Sequence, residues 1–296
     1  MRILIATHHL LSFTGSELYT LWLAKSVKQS GHDVYVYSPF VDKLFPFFEQ
    51  AGIPVVSHLE AYAGMTFDVA HVHHNIIAQE VRLLFPHLPI VMQIHGTKPL
   101  LEQLPQENIY PSALLCVCES VRESLITKGV HPDFLDIARN GIDMEWWHSD
   151  RVPALRPTKA LIISARMPDD KLQVIETACT ALNITLTKVG GRFGMATPEK
   201  VRSLLEETDF VITIGRGVME ATAAGRPVLV FDQPGGDGFL TPWNFRLLMQ
   251  TNFNGRITAT HYTSDELQEV IRTGYNPSDV SQSQQLLKQY FAQERV

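Results

Sequence analysis

An arginine and a lysine stand five residues apart in SARMPDDK (164–171), directly after an apolar run. Arg166 and Lys171 so placed can grip phosphate, because arginine forks two oxygens and lysine brings a movable point charge. The neighbouring Asp169 and Asp170 keep a second outcome open, a solvated turn in which the four charges neutralise one another. A second stretch, GRGVMEATAAGRPVLVFD (215–232), joins glycines and an arginine to a short helical segment and a buried strand. A helix starting at Gly217 leaves the N–H groups of Gly217, Val218 and Met219 free at the positive end of its dipole. Glu220, one turn in, can accept hydrogen bonds from both hydroxyls of a ribose, or be an acidic first-turn residue that the dipole favours. Gly15 in THHLLSFTGSELYTL lets backbone N–H groups approach an anion at a helix start. One glycine is not a dinucleotide fingerprint, and a plain cap with Ser16 and Glu17 in the first turn stays open beside it.

Nine of the twelve histidines precede residue 96. His71 and His73 share one face of a strand, a spacing a metal could use, but no carboxylate or cysteine nearby in sequence completes a ligand set. No metal site is therefore expected. His95 ends a strand and is followed by glycine, which places it where a cleft would open. Cys116 and Cys118 alternate in one strand and are poorly placed to bridge, so three cysteines fit a reducing cytoplasm.

The net charge of −6 is uneven: residues 1–150 hold 9 Lys/Arg against 16 Asp/Glu, and the remainder 16 against 15. An acidic first half argues against nucleic acid or an anionic membrane as partner. No apolar run reaches the roughly 18 residues a membrane span needs. The segment MRILIATHHLL lacks the uninterrupted apolar stretch of a secretory signal.

Short apolar runs at 2–7, 33–38, 68–73, 89–95 and 113–118 alternate with helical spacing, notably over 16–31. The pattern restarts at 159–165, 184–190, 209–215 and 227–232, with helices near 171–182, 198–207 and 217–224. Such alternation predicts parallel sheets covered on both faces. The Pro- and Trp-containing segment 140–159 reads as a linker, and the C-terminal stretch from Ser278 as an amphipathic helix. The expected architecture is α/β: two Rossmann-like doubly wound domains, 1–150 and 151–296, facing a cleft, with ligands beyond the carboxyl ends of the strands.

In order and spacing these motifs resemble the GT-B-fold glycosyltransferases of family 4. GSELYTLWLAKSVKQSGHDVYVYSP is similar to that family's first helix and second strand, and FDVAHVHH and VMQIHG to its histidine-bearing strand ends. CESVRESLITKGV followed by IARNGID resembles the segment before its second domain; SARMPDDK, KVGG and GVMEATAAGRPVLV resemble its basic pair, glycine turn and glutamate helix. The resemblance implies transfer of a sugar from a nucleoside-diphosphate sugar, a UDP-sugar foremost, with retention and without metal or other cofactor. It implies catalytic roles for His95, Arg166 and Lys171. It also implies a donor site around Gly15, Gly190, Arg216, Gly217, Val218, Met219 and Glu220. The acceptor would be a glycan, lipid-linked or small molecule, and the setting cytoplasmic polysaccharide biosynthesis. One departure stands out: the family's first glutamate, eight positions before Glu220, is Ile212 here. A sugar-nucleotide epimerase or hydrolase of the same fold, or a non-catalytic nucleotide-sugar-binding protein, is the alternative.

Overall fold

The computed structural model describes residues 1–105, 109 and 111–292. The chain divides into two compact units, Met1–Gly141 and Ile142–Val296. The first contains, in order, β1 (Arg2–Ala6), β2 (His9–Leu10), α1 (Gly15–Gln29), β3 (Asp33–Tyr37), β4 (Phe40–Val41), α2 (Phe45–Gln50), β5 (Val55–Val56), β6 (Val69–His73), α3 (Asn75–Leu84), β7 (Ile90–Ile94), β8 (Ala113–Cys116), α4 (Glu119–Thr127) and β9 (Leu135–Ile137). Seven strands form one sheet in the order β5-β3-β1-β6-β7-β8-β9, and β2 pairs separately with β4. Every ladder in this unit is parallel. Alternate residues of β1 go to opposite faces: Leu4 and Ala6 join one apolar cluster and Ile5 another. A strand buried on both sides has to be largely apolar, which is why β1 reads as an unbroken apolar run after Arg2, whereas β6 departs from this at His71 and His73.

The second unit contains α5 (Met144–Trp147), β10 (Lys159–Ile163), α6 (Asp169–Ala181), β11 (Thr185–Val189), α7 (Pro198–Glu206), β12 (Phe210–Thr213), α8 (Arg216–Ala223), β13 (Val228–Asp232), β14 (Gly235–Phe239), α9 (Phe245–Met249), α10 (Ser264–Gly274) and α11 (Val280–Phe291). Its sheet runs β11-β10-β12-β13-β14, parallel except for the last, antiparallel strand. Here too β10 splits its side chains, Leu161 to one cluster and Ala160 with Ile162 to the other.

The boundary between units lies nine residues before the expected one. Residues 142–150 belong to the second unit because Ile142 donates its N–H to Phe291 O and Trp147 is buried in that unit's core. The Asn-Gly-Ile-Asp segment serves this junction on both sides. Gly141 lies so close under the Trp22 ring that any side chain would collide with it. Asp143 caps α5, its Oδ1 accepting the N–H of Trp146 at 2.9 Å. The C-terminal helix α11 ends its described part at Phe291 and packs on α8 within the second unit. Residues 293–296, part of the stretch expected to be helical, lie outside the described residues. The three cysteines are buried and free.

Candidate functional site

Four neighbouring strands of the second unit bring the expected residues to one edge of its sheet. Leaving β10, the chain passes through Ser164–Pro168 into α6, with Arg166 exposed and its N–H donated to Ser164 Oγ at 3.1 Å. Lys171, in the first turn of α6, is buried. Its Nζ donates to Asp232 O at 3.2 Å and Gln233 O at 2.9 Å, and sits 5.5 Å from the centre of the Phe231 ring. Burial lowers the lysine pKa, while Asp170 and Asp232 act in the opposite direction. An ammonium has three donors, so two carbonyls leave one for an incoming oxygen. Asp232 closes β13 and is itself buried; this raises its pKa, against hydrogen bonds from Ser164 and the Gln233 N–H.

Gly190 follows β11 with φ +97°, and a Cβ there would lie 2.7 Å from Ser164 O. Gly191 meets Ala165 O in the same way. The glycine pair thus lets this loop press against the backbone that carries Arg166. Its visible duty is close approach, in a conformation that side chains disfavour.

The helix expected to start at Gly217 begins one residue earlier, at Arg216, with Gly215 (φ +62°) as its N-cap. Of the three N–H groups expected to be free, that of Val218 is engaged by Gly215 O at 3.1 Å. The side chains of Val218 and Met219 are buried in the core, so only their backbone can face a ligand. Gly217 leaves room for Thr213, whose Oγ1 ties β12 to β10 by donating to Ile163 O at 2.7 Å. Arg216 and Glu220 pair with each other, Nε donating to Oε1 at 2.9 Å, with side-chain exposures of 12% and 7%. Burial raises the Glu220 pKa and the adjacent guanidinium opposes that rise. Arg166, Lys171, Gly190 and Arg216–Glu220 therefore all follow the carboxyl ends of the adjacent strands β10, β11 and β12. Ile212, where the resemblance expects a glutamate, lies fully buried in β12.

In the first unit, His95 follows β7 and is stacked on His73 at 5.1 Å between ring centres, its Nε2 2.9 Å from His73 Nδ1. Tyr19 of α1 meets both rings edge-on. Burial, together with His74 and His71, pushes the His95 pKa down to about 3, so the ring is neutral at pH 7 and offers hydrogen bonds rather than charge. His71 and His73 do lie side by side, yet among the described residues no group of three or more His, Cys, Asp or Glu is arranged to hold a metal ion. Gly15 opens α1, and the loop before it is folded onto Glu17. That carboxylate accepts the N–H groups of Leu11, Ser12 and Thr14 and the hydroxyls of Ser12 and Thr14. Thr14 followed by Glu17 is a capping-box spacing, readable in advance.

Three polar groups receive no role from the sequence, although His74 and Asp232 end two of the quoted motifs. His74, held at φ +74°, accepts the His8 N–H at Nδ1 and has its Nε2 3.7 Å from Glu102 Oε1. Burial lifts the Glu102 pKa to about 7 although the His95 and Gly96 N–H groups bond to it. Asp232 is the third. Each comes from a loop or strand end where no periodicity marks it, so only the sheet order brings it to the others.

Two doubly wound units, one of them with a basic pair, a glycine turn and an acidic helix start along a single sheet edge, make up the architecture of the GT-B fold. Residues 13–146, a little under half of the chain, match the family model described as Glycosyltransferase Family 4. Among solved structures, the Anabaena protein HepE in complex with UDP and glucose is similar over 99% of this chain and 96% of its own, at 16% identity and a TM-score of 0.71. A glycotransferase of kitacinnamycin aligns over 99% and 96% at 14% identity and a TM-score of 0.62. A UDP-N-acetylglucosamine 2-epimerase aligns over 97% and 95% at 12% identity and 0.54. At these identities the likeness concerns the fold. No curated protein matches the sequence.

Proposed function

We propose that the chain moves a sugar from a nucleoside-diphosphate sugar, with UDP as the favoured nucleotide, to a glycan, lipid-linked or small-molecule acceptor. The reading assigns retention of configuration, no metal, and a cytoplasmic setting. The observation that carries it is the convergence of Arg166, Lys171 and the start of α8 at the carboxyl ends of β10 and β12. Arg166 is exposed and Lys171 keeps one donor beyond its two carbonyl contacts, so both can meet a diphosphate. As the sugar leaves, negative charge grows on that diphosphate, and cations held in place stabilise it without reorganising. Glu220 takes the ribose. The complex of HepE with UDP and glucose, in the same fold, supports UDP as the nucleotide.

The test is a calorimetric and thermal-shift screen against UDP, ADP, GDP and TDP and their glucose forms, with and without magnesium. Stabilisation by one of them, equal in both conditions, supports the reading; dependence on magnesium removes its metal-free part. The epimerase alternative draws on the likeness to a 2-epimerase and on Ile212 in place of a carboxylate. Analysis of products from donor alone decides between them: an isomerised or hydrolysed sugar without acceptor would favour that alternative.

A further inference from the structure

We propose that Arg216 is a positioning residue, which orients the Glu220 carboxylate toward the ribose of the bound nucleotide and makes recognition depend on the ribose 2′-hydroxyl. The inference rests on the donor-site reading above. Arg216 and Glu220 lie one turn apart on α8, and Arg216 Nε donates to Glu220 Oε1 at 2.9 Å. Both side chains are almost withdrawn from solvent, at 12% and 7% exposure. A guanidinium is planar and fixed in its direction of donation, so this contact holds the carboxylate in one orientation. It uses one acceptor position of Oε1. A carboxylate has about four, so the remainder stay open for two ribose hydroxyls.

Charge points the same way. A glutamate buried without a cation is driven toward its protonated form, which would turn an acceptor into a donor. Arg216 opposes that from the same helix. The backbone around the pair is determined independently of any ligand: Gly215 caps α8 with φ +62°, and Gly217 is pressed against Thr213. The arginine therefore starts from a fixed point on the helix, one turn before Glu220. Ile212, buried in β12, supplies no second carboxylate to share the task.

Calorimetry on the full chain tests this, with UDP and 2′-deoxy-UDP as probes, or with ADP or GDP and its 2′-deoxy form if one of those binds instead; TDP is itself a 2′-deoxynucleotide, and a preference for it overturns the proposal. The variants are Arg216→Lys, Arg216→Gln and Glu220→Gln, with melting temperatures to confirm folding; Arg216→Met replaces Arg216→Gln if that variant does not fold. The wild type should prefer the ribonucleotide by roughly 10-fold or more, the size of a hydrogen bond to a charged group. Arg216→Gln and Glu220→Gln should both reduce that preference to less than about 3-fold, and Arg216→Lys, which keeps the charge but not the fixed direction of donation, should fall between them and the wild type. A weaker but equally selective Arg216→Gln overturns the proposal and makes Arg216 a scaffold or a diphosphate contact. A wild type that binds both probes equally also overturns it while leaving the donor site standing. A wild type that binds none of the four nucleotides overturns the donor-site reading itself.

Discussion

Arg166 and Lys171 look alike in sequence but differ in what surrounds them. Arg166 is exposed, whereas Lys171 is buried and holds the carbonyls of Asp232 and Gln233. Replacing either by alanine should cost about 2–4 kcal/mol of transition-state stabilisation, measured as kcat/KM for sugar transfer. Only Lys171→Ala should also lower the melting temperature, because it alone takes a donor from the buried Asp232 carbonyl. Near-normal turnover in both variants would remove the diphosphate role. Gly190 makes a second prediction of this kind. With φ +97° and Ser164 O at 2.7 Å from any Cβ, Gly190→Ala should destabilise by roughly 1–3 kcal/mol in urea titration. An unchanged midpoint would mean that the loop relaxes freely and does not support Arg166.

At the level of elements, residues 149–159, which follow the buried Trp147, are fastened to the second unit by hydrogen bonds to two buried charged side chains, Arg226 and Asp209. Arg226, 1% exposed, donates to Ala224 O at 3.1 Å, Thr208 O at 3.3 Å and Ser149 Oγ at 3.1 Å, and also to Arg151 O. Asp209 at the start of β12 accepts from Arg151, Ala154, Thr158 and Lys159. Burial alone would raise its pKa, but the donors on Thr158, Arg151 and Ala154 outweigh it and hold it at about 2. Together these bonds fasten residues 149–159 to β12 and to the turn before β13. Asp209→Asn removes the counter-charge of Arg151, and Arg226→Met leaves several buried oxygens without their donor, so each should cost roughly 3 kcal/mol or more in denaturant unfolding. A loss below about 1 kcal/mol for both would show the segment to be held by its apolar contacts instead.

For the molecule as a whole, acid should act first on the histidine-rich unit. His71 and His74 are lowered to about 4 and His95 to about 3, in each case mainly by burial, and His73 is lowered as well. These groups bind protons more readily when unfolded, where the ordinary value is near 6.5. Their contribution to stability is therefore complete above about pH 6.5 and is lost as pH falls from there toward 4. Each adds a slope of roughly 1.4 kcal/mol per pH unit at its steepest. Glu102 opposes one of them: raised to about 7, it holds a proton in the folded state that the unfolded chain releases above about pH 4.5. The net sign remains loss of stability on acidification. Urea midpoints at pH 7.5 and 5.5 check this, and equal midpoints would mean that water reaches these rings.

Taken alone, the sequence determined the parallel sheets, the two-unit plan and the approximate start of most helices. Strands buried on both faces must be largely apolar, and helix starts must satisfy their own N–H groups, so both leave local marks. It also brought out Arg166, Lys171 and Glu220, because charged residues just after an apolar strand have few structural reasons to be there. Tertiary structure alone decided which partners these side chains take. Lys171 meets carbonyls some sixty residues away, at |i−j| of 61 and 62, and no local pattern encodes such a contact. The partners of Glu102, Asp232 and the strained His74 could not be read for the same reason, since they come from the order of strands in a sheet. The unit boundary, too, depended on where Ile142 and Trp147 are buried, a matter of packing between segments distant in the chain.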